Sequence, residues 1–430
     1  MTFTSLRIEG WRQFGRVDLD LHPRLTVLTG ANGAGKSSLL RIFHTHFGIN
    51  QPFLATPVAR SGGGHSYLTG LFSGTIARLW QKAWTTRSEM SNVGAIVYGN
   101  GIKSELQIPT ESSVQYNVTI AKQQTVPGIH IDSHAPIMHF QQVGQIPTTI
   151  ITAQKAYQSY NNEVVQKYQG GHTGYSPIYR MKEAIIAMAM FGEGNSRVQA
   201  NKEILDAYLG FVETLRTMLP DSLGFQDIAV RPPEVVLQTT SGDFILDAAS
   251  GGLLTIIDLT WRLHMFSQVN DEFVVTIDEP ENHLHPTMQR TLMPRLLKSF
   301  PKAQFMIATH SPFMVSSVSD SNVYVLRYMN TETDEIQGAD HISPSDATRV
   351  VSEKLDTVSR AGNASEILRE VLGVKATIPA WVEEDLAQIV ARYREIPITA
   401  RSLEALRGEL AGLGYDILYP DALAALTERQ

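Results

Sequence analysis

One run of eight residues constrains this chain more than any other: Gly30-Ala31-Asn32-Gly33-Ala34-Gly35-Lys36-Ser37, a glycine, four residues, then glycine, lysine and serine. It follows directly on the apolar stretch Leu25-Thr26-Val27-Leu28 and leads into a segment from Ser38 where Leu39, Leu40, Ile42 and Phe47 recur at helical spacing. Strand, glycine loop and helix in immediate succession place a ring of inward-pointing backbone N–H groups at a helix N-terminus, where the helix dipole favours anions. Such a loop cradles a nucleotide's phosphates. Lys36 reaches the β and γ phosphates, the Ser37 hydroxyl is placed to ligate Mg²⁺, and Ser38 extends the same turn.

Three further segments carry chemistry. Phe273-Val274-Val275-Thr276-Ile277 reads as a buried strand ending in Asp278-Glu279. An aspartate at the carboxyl end of a strand beside a phosphate loop holds Mg²⁺, usually through water, and an adjacent glutamate can polarise the water that attacks the γ-phosphate. Phe305-Met306-Ile307-Ala308 is another such strand, ending in Thr309-His310-Ser311, where His310 can reach a γ-phosphate. Ala249-Ser250-Gly251-Gly252 precedes an apolar helix and forms a second N–H nest.

The rest of the chain is organised around these. Residues 1–30 read as a hairpin, turning near Gly15, followed by a central strand. Residues 51–150 are loop-rich, with turns at Ser61-Gly62-Gly63-Gly64 and Gly99-Asn100-Gly101, and strand-like runs at Ala95–Tyr98, Ser104–Ile108 and Gln115–Ile120. Gln154–Pro220 is helical, broken at Gly170-Gly171 and Gly192-Glu193-Gly194, and strands return at Glu234–Gln238 and Phe244–Ala248. Helices are expected from Gly252 and over Pro286–Leu297, and a strand over Val323–Leu326. Beyond Ser343-Pro344 the tail is expected to be all-helical, with an amphipathic segment from about Ala347 to Leu372. The expected plan is an α/β core from residues 1–50 and 235–330, a β insert over 51–150, a helical insert over 151–234 and a helical extension over 331–430.

Composition removes several classes. The chain has 430 residues and no cysteine, which excludes disulfide frameworks and thiolate metal sites and fits a reducing cytoplasm. Its longest apolar stretch, Ala184–Phe191, is far below the ~18 residues a membrane span needs. Met1–Trp11 alternates polar and apolar residues, so no signal peptide is expected. Thr331 to the end carries 18 acidic and 10 basic residues, leaving 26 basic and 25 acidic before it. The tail is therefore a poor nucleic-acid platform, and any DNA contact would come from local patches in the first 330 residues.

In this order, the phosphate loop, Ser-Gly-Gly helix, Asp-Glu strand and Thr-His-Ser strand resemble the ATP-binding-cassette (ABC) ATPases, in particular the soluble branch of RecF, Rad50, SMC and overcoming-lysogenisation-defect (OLD) proteins. Ile8-Glu9-Gly10-Trp11-Arg12-Gln13-Phe14 resembles that branch's opening strand-turn, where an arginine lies near the nucleotide. Asp278-Glu279-Pro280-Glu281-Asn282-His283-Leu284-His285-Pro286 is similar to OLD-like ATPases, which makes His283 and His285 loop residues rather than zinc ligands. The resemblance covers residues 1–50 and about 235–328. It implies an α/β ABC-ATPase head that hydrolyses ATP with Mg²⁺, with Glu279, His310 and Lys36 catalytic and Arg12 and Gly30–Ser38 contacting nucleotide. It also implies a homodimer or higher homo-oligomer in which Ser250, Gly251 and Gly252 cap the nucleotide of the other copy. A lid glutamine that contacts Mg²⁺, joining Ser37 and Asp278, would be Gln141 or Gln142, after Ile137-Met138-His139-Phe140.

The signature here runs Ala-Ser-Gly-Gly-Leu-Leu, without the leading leucine or serine and following glutamine of the family. No heptad seam supports a long coiled-coil arm, and Asp18-Leu19-Asp20 is the only Asp-x-Asp considered for a Toprim nuclease, in the first hairpin. The expectation is a stand-alone ATPase acting through a separate nuclease or toxin, as in two-component phage-defence systems such as Septu and PARIS. The alternatives are a RecF-like repair ATPase that clamps DNA and a nucleotide-gated scaffold with little turnover.

Overall fold

The computed structural model describes residues 1–59, 65–69, 90–134, 139–168, 170–330, 348–356, 364–371 and 380–427. The turn at Ser61–Gly64, Ile137-Met138, Ser343-Pro344 and parts of the segment from Ala347 to Leu372 lie outside these residues. The chain divides into two units, Met1–Ala364 and Ser365–Gln430.

In the first half the strands are β1 (Phe3–Trp11), β2 (Phe14–Asp20), β3 (Leu25–Gly30), β4 (Phe53–Leu54), β5 (Thr56–Ala59), β6 (His65–Leu68), β7 (Met90–Tyr98), β8 (Lys103–Pro109), β9 (Glu111–Ser112), β10 (Gln115–Tyr116), β11 (Thr119–Ile120) and β12 (Gly128–Ile131). Those that follow are β13 (Phe225–Arg231), β14 (Glu234–Thr239), β15 (Phe244–Ile245), β16 (Phe273–Asp278), β17 (Ala303–Ala308), β18 (Asn322–Asn330) and β19 (Thr348–Lys354). The principal helices of the first unit are α1 (Lys36–His44), α2 (Ala153–Tyr168), α3 (Pro177–Gly192), α4 (Lys202–Met218), α5 (Gly251–Ser267) and α6 (Pro286–Ser299).

One sheet organises the first unit, in the order β11-β8-β7-β1-β2-β19-β18-β3-β17-β16-β12. From β18 to β12 its five strands run parallel, so their carboxyl ends share one edge. Every residue of β3 is buried, as a strand covered on both faces requires. Two polar side chains pin its surroundings. Arg24 donates to the carbonyls of Leu297 (2.7 Å), Phe300 (3.1 Å) and Ala303 (2.5 Å), neutralising the negative end of α6. Gln304, fully buried in β17, accepts from the Phe3 amide (3.0 Å) and donates to the carbonyls of Phe3 and His22. The helices over 153–218 lean on α5: the Tyr160 hydroxyl donates to Asp258 (2.5 Å), and Phe211 meets Trp261 edge-on.

Several elements depart from the sequence expectation. The first hairpin turns at Arg12-Gln13, since Trp11 pairs with Phe14, two residues before the expected turn near Gly15. Thr348–Lys354, expected to be helical, is a strand between β2 and β18. Its adjacent Val350 and Val351 suit a pleated surface, and Val350 is fully buried there. β12 and β13 were not anticipated, because a four-residue strand after Pro127 and a half-exposed hairpin arm carry little periodicity. β7, β8, β11 and β12, from the expected insert, belong to the same sheet as the core strands.

Among the described residues of the second unit, the helices Ala380–Arg394, Ala400–Gly412 and Tyr419–Thr427 pack around Ile389, Val390, Leu406, Leu410 and Ala422. Thr399 caps the middle helix through a reciprocal bond with Ser402. Among the described residues no helix is long and apolar enough to cross a membrane.

Three histidines of the first unit are held neutral by burial: His44, lowered to about 3 by desolvation and by the His130 ring 3.7 Å away, and His46 and His264, each lowered to about 4. Their native values lie below that of an unfolded imidazole, so the unfolded chain takes up protons first on acidification. Stability is expected to be full above about pH 6.5 and to fall steadily towards pH 4. Urea unfolding at pH 7.5 and 5.0 checks this. The midpoint should drop at pH 5.0, and His44→Asn should narrow the difference.

Candidate functional site

The phosphate loop begins where β18 crowds β3. Gly30 has φ +135°, and a Cβ there would stand 2.5 Å from the Leu326 carbonyl oxygen, so no larger residue fits without moving β18. Gly35, left-handed at φ +95°, is the N-cap of α1. The Lys36 ammonium is buried and donates to the carbonyls of Gly30 (3.1 Å) and Ala31 (3.2 Å). Burial pushes its pKa down, and the negative charges of Asp278, Glu279 and Glu281 push it back up, which shows that these acids converge on the loop.

β16 delivers Asp278 at its carboxyl end. Its Oδ1 atom is buried with no partner. Burial raises its pKa, the nearby Ser37 hydroxyl lowers it, and the charge of Glu279 raises it again. Glu279 sits in left-handed backbone at φ +51°, a conformation rare for residues other than glycine. Its amide donates to the Ala308 carbonyl (2.8 Å), and its Oε2 accepts from the Asn282 side-chain amide (3.0 Å). Asn282 also donates to the Ser133 carbonyl (2.9 Å), joining the chain after β12 to Glu279.

β17 delivers His310, whose Nε2 lies 4.0 Å from Glu279 Oε1. Burial and the charge of Lys36 lower its pKa, so the neutral ring is favoured near pH 7. The sequence reading gave Glu281 no role, yet it builds this corner. Its Oε1 accepts from the Thr309 hydroxyl (2.7 Å) and from the amides of His310 (2.7 Å) and Ser311 (3.1 Å). Gln289 accepts from the Ser311 hydroxyl (2.7 Å). A buried carboxylate three residues after a strand end has no sequence signal of its own; only the fold reveals what it faces.

The structure thus gathers Lys36, Ser37, Asp278, Glu279 and His310, and Asn32 of the loop shares an open cleft with Glu279 and His310. The other expected residues make their contacts elsewhere. Arg12, at φ +55°, donates to the Leu54 carbonyl (3.2 Å) and lies over Phe53, while its neighbour Gln13 reaches the Gly33 carbonyl (3.4 Å). Gln141 accepts from the amide of Ser176, the N-cap of α3 (3.1 Å), and donates to the Gly174 carbonyl (3.0 Å), and Gln142 donates to Glu234 (3.4 Å). The Gln141 carbonyl and Asp247 both accept from Lys182, whose side chain is fully buried.

Ser250 is the exposed N-cap of α5, but its hydroxyl makes no capping bond. A Cβ on Gly252 would stand 2.7 Å from the His283 carbonyl, so the start of α5 lies against the loop that follows Glu279. His285 accepts from Thr287 as the cap of α6, and among the described residues no group of three or more His, Cys, Asp or Glu side chains is placed to hold a metal by itself.

Replacing Glu281 by Ala leaves a hydroxyl and two amides without their acceptor and should cost about 1–3 kcal/mol in urea unfolding. Glu281→Gln retains Oε1 and should cost less. Equal losses for the two variants would mean that the three bonds contribute little.

Two segments match family models. Residues 238–316 match an AAA domain described as putative AbiEii toxin, type IV toxin–antitoxin system, and residues 5–47 match a second AAA domain. A retron Ec83 probable ATPase of Escherichia coli is 32% identical over 97 residues, 21% of this chain and 17% of that protein. A Septu protein PtuA of Bacillus mycoides is 36% identical over 86 residues, 19% of this chain and 12% of that protein. The matched regions therefore span less than a fifth of either relative. The SMC head domain of Thermotoga maritima aligns over 83% of this chain and 100% of its own, at 10% identity and a TM-score of 0.38.

Proposed function

We infer, from an ABC-type ATPase head matched by AAA-domain models on both segments that form its nucleotide corner, that this chain binds ATP with Mg²⁺ and hydrolyses it between paired copies. The observation that carries the reading is the convergence of Lys36, Ser37, Asp278 and Glu279 at the carboxyl ends of β3 and β16.

The residues suit a hard cation. Ser37 and Asp278 are oxygen donors on two elements that pack together, and the buried Asp278 Oδ1 lacks a partner that a hydrated Mg²⁺ would provide. When bound, the ion neutralises charge on the β and γ phosphate oxygens. Lys36 would exchange the loop carbonyls for phosphate oxygens, and the loop amides would hold the remaining charge. Glu279, fixed by Asn282, would orient the attacking water and accept its proton. The neutral His310 would donate to or accept from the γ-phosphate group.

Ser250 supports pairing between copies. Ser250 and Gly251 are exposed and the Ser250 hydroxyl makes no capping bond, as a nest that caps another copy's nucleotide requires. The likeness to retron and Septu ATPases supports a sensor ATPase of a defence system that acts through a separate nuclease or toxin. The acidic C-terminal unit offers a surface for that partner.

Light scattering of Glu279→Gln with and without Mg-ATP tests the pairing. The mass should double with Mg-ATP, and Lys36→Ala should remain at its nucleotide-free mass. A monomer with ATP bound would remove the trans-capping role of Ser250.

A further inference from the structure

The family pattern assigns the lid position to a glutamine, but the two candidates are occupied elsewhere: Gln141 bonds the Ser176 amide and the Gly174 carbonyl just before α3, and Gln142 reaches Glu234. A different residue of the same segment stands beside the metal-binding aspartate. β12 runs parallel to β16 with Ile131 opposite Ile277, so the next residues, Asp132 and Asp278, leave the sheet side by side. Side chains alternate along a strand, so both project to the face on which His130 and Thr276 lie. That face is demonstrably shared, because His130 Nδ1 and Thr276 Oγ1 are hydrogen-bonded at 2.9 Å.

Asp132 is also oriented. A carboxylate oxygen can only accept, so His130 Nε2 donates to Asp132 Oδ1 (3.1 Å), and in that neutral tautomer Nδ1 accepts from the Thr276 hydroxyl (2.9 Å). Beyond this bond the carboxylate borders a cleft shared with Asp278, Glu279, Asn282 and Arg262. Two polar atoms around this cleft are buried without partners: Asp278 Oδ1, and Nε of Arg262, whose side chain is only 4% exposed.

We propose that Asp132 is a second carboxylate for the nucleotide-bound Mg²⁺, held by His130 so that it accepts a hydrogen bond from a metal-bound water beside Asp278. The distances allow it. Adjacent strands lie about 4.8 Å apart. A carboxylate oxygen that accepts from a magnesium-bound water sits about 4–5 Å from the ion, summing a metal–oxygen distance of about 2 Å and a short charge-assisted bond. The lid function thereby falls to an acid at the end of β12, and Asn282 ties this segment to Glu279 through the Ser133 carbonyl.

The proposal rests on the reading that Mg-ATP occupies the phosphate loop, and its test separates the two. The affinity of a fluorescent ATP analogue is measured against Mg²⁺ concentration, and again in EDTA, for the full chain and for Asp132→Asn, Asp132→Glu and Lys36→Ala. Asp132→Asn should raise the half-saturating Mg²⁺ concentration about tenfold, as removal of an outer-shell partner does. Its affinity in EDTA should stay at the unsubstituted value, and Asp132→Glu should recover part of the Mg²⁺ response. An unchanged Mg²⁺ midpoint in Asp132→Asn, with Lys36→Ala losing the nucleotide, overturns the proposal and leaves Asp132 as a partner of His130 only. Failure of the unsubstituted chain to bind the analogue overturns the underlying reading instead. If Asp132→Asn does not fold, His130→Asn serves in its place: it frees Asp132 and should shift the midpoint in the same direction, and no shift again overturns the proposal.

Discussion

The site depends on the alignment of four strands that run parallel. β3, β17, β16 and β12 are bonded in sequence, and their register brings the phosphate loop, Thr309-His310, Asp278-Glu279 and Asp132 to one edge. A slip of one residue in any pair would turn a functional side chain to the opposite face. Arg24 and Gln304 oppose such slips by polar bonds that only one alignment satisfies, at the end of the sheet away from the chemistry. Precision at the site is thus secured where no substrate comes.

A cluster of acids beside a phosphate loop is electrostatically awkward without ligand. Asp278 is pushed towards its protonated form by burial and by Glu279, while Lys36 loses affinity for its proton by burial. A cation and a phosphate arriving together relieve both problems, because each supplies the charge that one of these groups lacks. At Glu279 the backbone turns left-handed, so the two consecutive acids leave the strand in different directions, and Asn282 and the Ala308 carbonyl hold that turn.

The sequence made much of this site legible because its parts are local. A phosphate loop between strand and helix, or an Asp-Glu pair ending a run of Val and Ile, is readable from a dozen residues. What stayed hidden was non-local. Glu281 acts across from β17, β12 joins the sheet from a segment that reads as loop, and β19 inserts between two strands far away in the chain. The expected helix over Thr348–Lys354 failed for the same reason, since the decisive hydrogen bonds come from Phe14–Arg16 and Tyr324–Asn330. Gln141 and Gln142 illustrate the converse: the residue type was persuasive, but a helix end and a carboxylate nearer at hand take up their amides.

The contact between Gly252 and the His283 carbonyl has a consequence for timing. If Ser250 and Gly251 cap a nucleotide on another copy, the helix that does so begins against the loop following this copy's own Glu279. A pull on one cap would then be felt at the opposite reaction centre, through the close approach of Gly252 to the His283 carbonyl. Two such centres would fire in a correlated order rather than independently, and the spent state of one would become a signal readable at the other.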